Sequence, residues 1–338
     1  MSEIANAVSQ IPQPMRPMMF GEILDRIFQL LRRNFWLLIG IAGVPAAAFI
    51  VLYALMMGAM FATVGLHPQD PPNPGLLLPV LGLVELLFVA VMVVVYPLYA
   101  AAGSYAATSA AEGRKVTVRA AYGVAWQRAG SYIWLYVLRI LYFLAPVLLI
   151  GVLIGVGAFL TSRGGGASVA GILLIVLGVL GYLGVTVFAI LMMLRWALAY
   201  PASVVEGLTA SAALKRSSQL TKGAKGRIFL VALVIYAFAF VLEFAFMIVF
   251  EIVGVIGALV GKAQHISLDS PAGFIPVGLF AACGLFALFF FMATMWASYS
   301  VSFSVLYLDQ RVRLEGYDIE RMMKAAGMEQ AESGGAPA

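Results

Sequence analysis

Long runs of apolar residues alternate with short polar segments along the chain. Six of these runs are longer than the roughly 20 residues that a helix needs to cross the hydrocarbon core of a bilayer. A helix satisfies its own backbone hydrogen bonds in lipid, where an isolated strand cannot. The pattern therefore predicts an all-α fold, a polytopic membrane bundle of six transmembrane helices. The predicted spans are 35–65, 76–102, 131–160, 168–199, 228–260 and 274–308.

Three shorter segments carry apolar and charged residues at helical spacing. In the segment 19–33, apolar residues recur every three or four positions and charged residues occupy the other face. The segments 117–129 and 209–221 repeat this plan, and we expect Thr117 and Thr209 to cap them. An amphipathic helix with a basic polar face beside a span is expected to lie in the membrane surface.

A tyrosine followed by a Glu-Gly pair ends every second apolar run. With one surface helix and two spans before each pair, the pattern predicts three repeats of an interfacial amphipathic helix plus a hairpin. The simpler alternative is that any six-span protein has alternating loops. We expect each glycine to take the left-handed conformation that ends a helix, while the glutamates bind nearby arginines, stay solvated or hold a ligand. The three pairs are Glu112-Gly113, Glu206-Gly207 and Glu315-Gly316, after Tyr105, Tyr200 and Tyr307.

Composition and the distribution of charge predict the orientation. The chain is 63% hydrophobic and 11% charged, against about a quarter charged in soluble domains. Of its 21 Lys and Arg residues, 18 lie in the segments 1–34, 103–130 and 195–227 or after residue 308. Because cytoplasmic loops are enriched in Lys and Arg, both termini are predicted to be cytoplasmic. Residues 1–17 are expected to form a flexible segment, 18–322 the membrane domain, and 323–338 a cytoplasmic tail with a disordered end.

The residues needed for most enzymes are scarce. The chain has one cysteine and two histidines, His67 and His265, in separate predicted loops. We find no metal-ligand cluster, nucleophile–base pair or phosphate loop, so we predict a non-enzymatic protein without a metal or cofactor. Nothing in the sequence points to nucleic acid as a partner.

Four ionisable residues fall inside predicted spans, where such groups are functional candidates. They are Glu85, Arg139, Glu243 and Glu251. At 1.5 Å per residue, Glu85 lies about 15 Å from the outer edge and Arg139 about 12 Å from the inner edge, so we predict that they pair, with Glu243 as a second possible partner of Arg139. A structural ion pair and a proton or substrate relay remain alternatives.

The basic surface segments suggest contact with acidic phospholipid headgroups in the inner leaflet, each Lys or Arg near the surface contributing about 1 kcal/mol. A protein partner at the same face is an open alternative. A small-solute or lipid transporter that uses Glu85, Arg139 and Glu243 is the competing function. The headgroup candidates are Arg26, Arg32, Arg33, Arg119, Arg128, Lys215, Arg216, Lys222 and Lys225.

Three stretches carry a resemblance to a known family. They are MMFGEILDRIF at 18–28 with RRNF at 32–35, RWALAYP at 195–201 through Glu206-Gly207 to KRS at 215–217, and LYLDQRVRLEGYDIE at 306–320. Over about residues 17–322 the chain resembles the glycerophosphoryl diester phosphodiesterase membrane domain family of polytopic bacterial membrane proteins. The resemblance implies a bacterial inner-membrane location. Some members carry a cytoplasmic phosphodiesterase domain, and the resemblance implies the membrane part without that hydrolase.

Overall fold

The computed structural model describes residues 17–64, 74–263 and 271–316. Within these ranges every regular element is an α-helix, which confirms the predicted all-α bundle. Six helical stretches are long and apolar enough to span a membrane, so the chain is a multi-pass integral membrane protein. The helices are α1 Phe20–Arg33, α2 Phe35–Val64, α3 Pro74–Ala111, α4 Val118–Gln127, α5 Ala129–Ser162, α6 Gly165–Arg195, α7 Ala199–Glu206, α8 Ala210–Leu220, α9 Lys225–Ala263 and α10 Pro271–Glu315.

The helices form three units with the same order of elements. Each unit starts with a short helix (α1, α4 or α8) and continues with a long hairpin (α2–α3, α5 to α7, or α9–α10). The short helices and the Glu-Gly turns share one end of the bundle, which we call the basic side. The predicted tail 323–338, the segment 1–16 and both histidines lie outside the described residues.

The short helices begin at different types of cap. As predicted, Thr117 caps α4, because its hydroxyl oxygen accepts a hydrogen bond from the backbone N–H of Ala120 at 3.3 Å. Thr209 holds the corresponding position before α8, but its side chain makes no capping hydrogen bond. At α1 the Glu22 carboxylate accepts from the backbone N–H of Met19 at 2.8 Å. The bonds at α4 and α1 each satisfy a backbone donor that would otherwise be free at the helix start.

Packing between the units follows a cyclic pattern. The short helix α4 contacts α2 and α3 of the first unit, and α8 contacts α5 and α7 of the second. The first short helix, α1, contacts α9 and α10 of the third unit. The final helices α3, α7 and α10 also contact one another in all three pairs. The third unit therefore packs against the first as each other unit packs against its successor.

The core of the bundle lies towards the basic side, and small residues line the contacts between its final helices. Ala102 and Ala106 on α3, Ala202 on α7 and Ala297 on α10 are almost completely buried. At Gly103 the two helices α3 and α10 come so close that an added Cβ would collide with Ser300. Farther from the basic side, most apolar side chains of α5, α6 and α9 are exposed, as expected for surfaces that face lipid.

A buried carboxylate ties the start of the chain to the third unit. The Asp309 side chain is fully buried and accepts hydrogen bonds from Arg227 at 3.0 Å and Arg313 at 2.9 Å. Its other oxygen accepts from the backbone N–H of Met18 at 2.8 Å. Both arginines also donate to the Met18 carbonyl. We call this cluster the Asp309 clamp; it holds the entry to α1 against α9 and α10.

Candidate functional site

An arginine from each unit binds the turn that closes the same unit. Arg26 on α1 donates to the carbonyl of Ala111 at 3.1 Å, next to the first Glu-Gly pair. Arg128, directly after α4, donates to the carbonyl of Gly207. Arg216 on α8 donates to the Glu315 carboxylate at 2.7 Å. The three predicted headgroup candidates in these positions are therefore engaged within the protein.

The three turn glycines are left-handed, as predicted. Their φ angles are 79° at Gly113, 64° at Gly207 and 62° at Gly316. This conformation disfavours residues that carry a Cβ. At Gly207 a Cβ would also lie 3.0 Å from the guanidinium of Arg128.

Arg216 stands at the centre of an ion-pair network that joins two turns. Its Nε donates to both oxygens of Glu206, at 3.0 and 2.8 Å, while its other nitrogens bind Glu315. Arg311 donates to Glu315 at 3.1 Å, and the Tyr307 hydroxyl donates to Glu206 at 2.8 Å. The hydrogen bond to Glu315, ahead of those to Glu206, raises the pKa of Arg216 above its ordinary value. Of the alternatives left open by the sequence, arginine binding is therefore the one found at Glu206 and Glu315.

The other headgroup candidates point into solvent on the basic side. They have exposed side chains and, within the described ranges, no hydrogen-bond or ion-pair partner. Lys115 has the same surroundings. The acidic residues of this side are held by hydrogen bonds, so among the described residues Asp25 alone opposes these seven cations. The candidates are Arg32, Arg33, Arg119, Lys215, Lys222 and Lys225; with Lys115 we call them the free cations.

Exposed aromatic side chains accompany the free cations. Trp36 at the start of α2 is 75% exposed, and Trp126 at the end of α4 is 69% exposed. Trp134, near the start of α5, is also exposed, as are Phe20 and Phe28 on α1. Tryptophan is enriched where apolar chains meet headgroups. The surface thus has the composition of a membrane–water boundary.

The intramembrane charges do not form one site. The side chains of Glu85, Glu243 and Glu251 are exposed on the outer surface of their helices. Arg139 is half-buried, with its guanidinium carbon 6.0 Å from the centroid of the Tyr200 ring. In the described part of the chain no ion pair joins Arg139 to Glu85, so the predicted pairing is wrong. Similar depth in the bilayer does not by itself bring the two side chains together, because Glu85 lies on the outward face of α3.

The fourth span is broken between Arg195 and Ala199, where α6 ends and α7 begins. The Ser217 hydroxyl donates to the Arg195 carbonyl at 2.9 Å and accepts from the Leu198 N–H at 3.2 Å. Thr221 also donates to the Arg195 carbonyl, at 3.2 Å. Side chains on and just after α8 thus satisfy backbone groups that the break releases. The predicted span ended at 199, so the sequence pattern did not indicate that the chain continues after the break as the separate helix α7.

The comparisons with known proteins leave the family open. No protein-family model matches the chain, and no curated protein or solved structure matches it either. In the described ranges no group of three His, Cys, Asp or Glu side chains could hold a metal ion. The resemblance to the phosphodiesterase membrane domain family thus stays a prediction.

Proposed function

We propose that this integral membrane protein is not an enzyme and binds acidic phospholipid headgroups through its free cations. The proposal rests on one observation. In the described part of the basic side, seven exposed cations have no acidic partner, and Asp25 is the one exposed acidic residue that could offset their charge. Each cation near an anionic leaflet contributes about 1 kcal/mol. Together they favour an enriched shell of acidic lipid around the bundle.

Only some of the cations on the basic side bind other parts of the protein, and this difference supports the proposal. Arg26, Arg128 and Arg216 bind the turns and so stabilise the fold. The free cations make no such contact, so the fold does not account for them. Exposed Trp36, Trp126 and Trp134 set the depth at which the cations meet the headgroups.

The proposal includes the setting of the protein. The basic side faces the cytoplasm of a bacterium, in its inner membrane, as the bias of basic loops favours. The three units are copies of one repeat, which the cyclic packing and the turn arginines support. Membership of the phosphodiesterase membrane domain family belongs to the same proposal. A C-terminal reporter that is active only in the cytoplasm tests the orientation, and activity only outside would reverse it.

Lipid selectivity tests the function. The protein is placed in phosphatidylcholine vesicles containing spin-labelled phosphatidylglycerol, and the motionally restricted fraction of the label is measured. Replacing Arg32 and Arg33 by glutamine should lower the preference for phosphatidylglycerol, by at most about 2 kcal/mol for the two charges.

A matched control removes two cations elsewhere. Arg163 and Lys262 are exposed at the opposite ends of α5 and α9, so Arg163→Gln with Lys262→Gln changes the net charge equally. This control should keep its preference for phosphatidylglycerol. If both pairs of substitutions act alike, net charge and not the free cations governs the preference, and the proposed site is wrong.

A further inference from the structure

Arg139 carries a positive charge inside a span and has no acidic partner among the described residues. A charge of this kind costs about 2.5–3.5 kcal/mol at the centre of a bilayer on insertion scales and less towards the headgroups, and such residues normally pair. The ring of Tyr200 lies at the outer limit of a cation–π contact, which offsets little of this cost. The position therefore calls for an anion.

The groups around Arg139 supply hydrogen bonds without an acceptor to match. The Tyr200 hydroxyl is buried and has no hydrogen-bond partner in the described structure. Tyr136 lies three residues before Arg139 on α5, on the same side of that helix, and the ring of Tyr96 on α3 packs against the Tyr136 ring with 5.2 Å between the ring centroids. Guanidinium and phenol groups both donate, and a phosphate oxygen accepts from both.

An apolar groove between α5 and α6 starts at Leu138, the residue before Arg139, and runs away from the basic side. The two helices touch most closely at Gly157 and Gly171, where a Cβ added to Gly171 would lie 2.5 Å from the Gly157 carbonyl oxygen and one added to Gly157 would lie 2.8 Å from that of Gly171. A Cβ added to Gly181 would lie 3.6 Å from the Ile150 side chain. Beyond this point the two helices separate around Pro146. The groove has a volume of about 560 Å³, within the range of about 300–1,000 Å³ for small-molecule sites. Its walls are Leu138, Leu141, Tyr142, Ala145, Val185 and Phe188, with Pro146.

We propose that Arg139 and Tyr200 hold the phosphate of one acidic glycerophospholipid, whose acyl chain lies in this groove. The order of the phosphate contacts and the groove along the span fits a lipid of the leaflet on the basic side. Helical side chains lean towards the helix N-terminus, so Arg139 reaches back towards the headgroups while the groove extends towards the bilayer centre. A net negative headgroup is favoured, because a zwitterionic one would bring a second cation near Arg139.

This site is separate from the free cations, and either proposal can fail alone. The experiment is native mass spectrometry of delipidated protein in detergent, with phosphatidylglycerol or phosphatidylcholine added back. The protein should bind one phosphatidylglycerol in preference to phosphatidylcholine. Arg139→Gln and Tyr200→Phe should each weaken this binding by about ten-fold or more, the loss expected for a hydrogen bond to a charged group.

Two further variants separate the groove from the phosphate contacts. Ala145→Trp should fill the groove and abolish binding, whereas Ala287→Trp, in the groove between α9 and α10, should leave it intact. The Arg32→Gln, Arg33→Gln variant should also retain the bound lipid. Without added lipid, Arg139→Gln should be at least as stable as the unmodified protein, since it removes an unpaired charge.

Three results would overturn the inference. The first is unchanged phosphatidylglycerol binding in Tyr200→Phe and Ala145→Trp. The second is equal binding of the two lipids. The third is a loss of stability in lipid-free Arg139→Gln, which would make Arg139 a packing residue.

Discussion

Removal of the buried negative charge of Asp309 should loosen the junction between the first and third units. In Asp309→Asn the side chain keeps its shape, but Arg227 and Arg313 lose their shared counter-charge. Breaking one partner of a buried ion pair costs about 3–5 kcal/mol. The two arginine side chains are 23% and 31% exposed, so water relieves part of the cost and we expect about 3 kcal/mol.

The assay is thermal unfolding in one detergent at one scan rate, with hydrogen exchange as a second readout. At about 2–4 °C per kcal/mol, the expected loss is roughly 6–12 °C in Tm. Exchange should rise in α1, whose entry the clamp holds, and stay unchanged in α4. The control is Arg114→Gln, which breaks the exposed ion pair with Glu112 and should cost less than about 1 kcal/mol. Equal shifts in the two variants, or unchanged exchange in α1, would refute the role of the clamp.

Three further substitutions test other parts of the structure, each by thermal unfolding. Gly207→Ala should cost about 1–2 kcal/mol, because alanine is strained in the left-handed conformation and meets Arg128; an unchanged Tm would mean that the turn adapts freely. Arg216→Met should cost about 3 kcal/mol, since it leaves Glu206 and Glu315 without their main partner. Lys215→Met beside it should change stability by less than about 0.5 kcal/mol, and similar losses in the two variants would show that the network is not structural. Glu85→Gln should leave the Tm unchanged, because the exposed Glu85 has no partner in the described structure; a clear drop would reveal a partner.

The sequence predicted the elements and their order well because their signals are local. Apolar runs determine the spans, and the amphipathic pattern of 19–33 and the capping Thr117 mark the short helices. The left-handed glycines also follow from local chemistry, since a helix that ends at a Glu-Gly pair needs positive φ at the glycine.

The contacts between units could not be predicted, because they depend on rotation of each helix about its axis. Depth along the span suggested a pair between Glu85 and Arg139, but the two side chains leave their helices in different directions. The same lack of long-range information hid the Asp309 clamp, which joins residues 291 positions apart. It also concealed which basic residues bind turns and which stay free.

The salt dependence of lipid selectivity tests the central claim most directly. The protein is measured with spin-labelled phosphatidylglycerol and phosphatidylcholine in vesicles at low and at high ionic strength. If the free cations bind acidic headgroups, phosphatidylglycerol is preferred at low salt and most of the preference disappears at high salt, because exposed charges are screened. The absence of a preference at low salt, or one that salt does not change, would contradict the account.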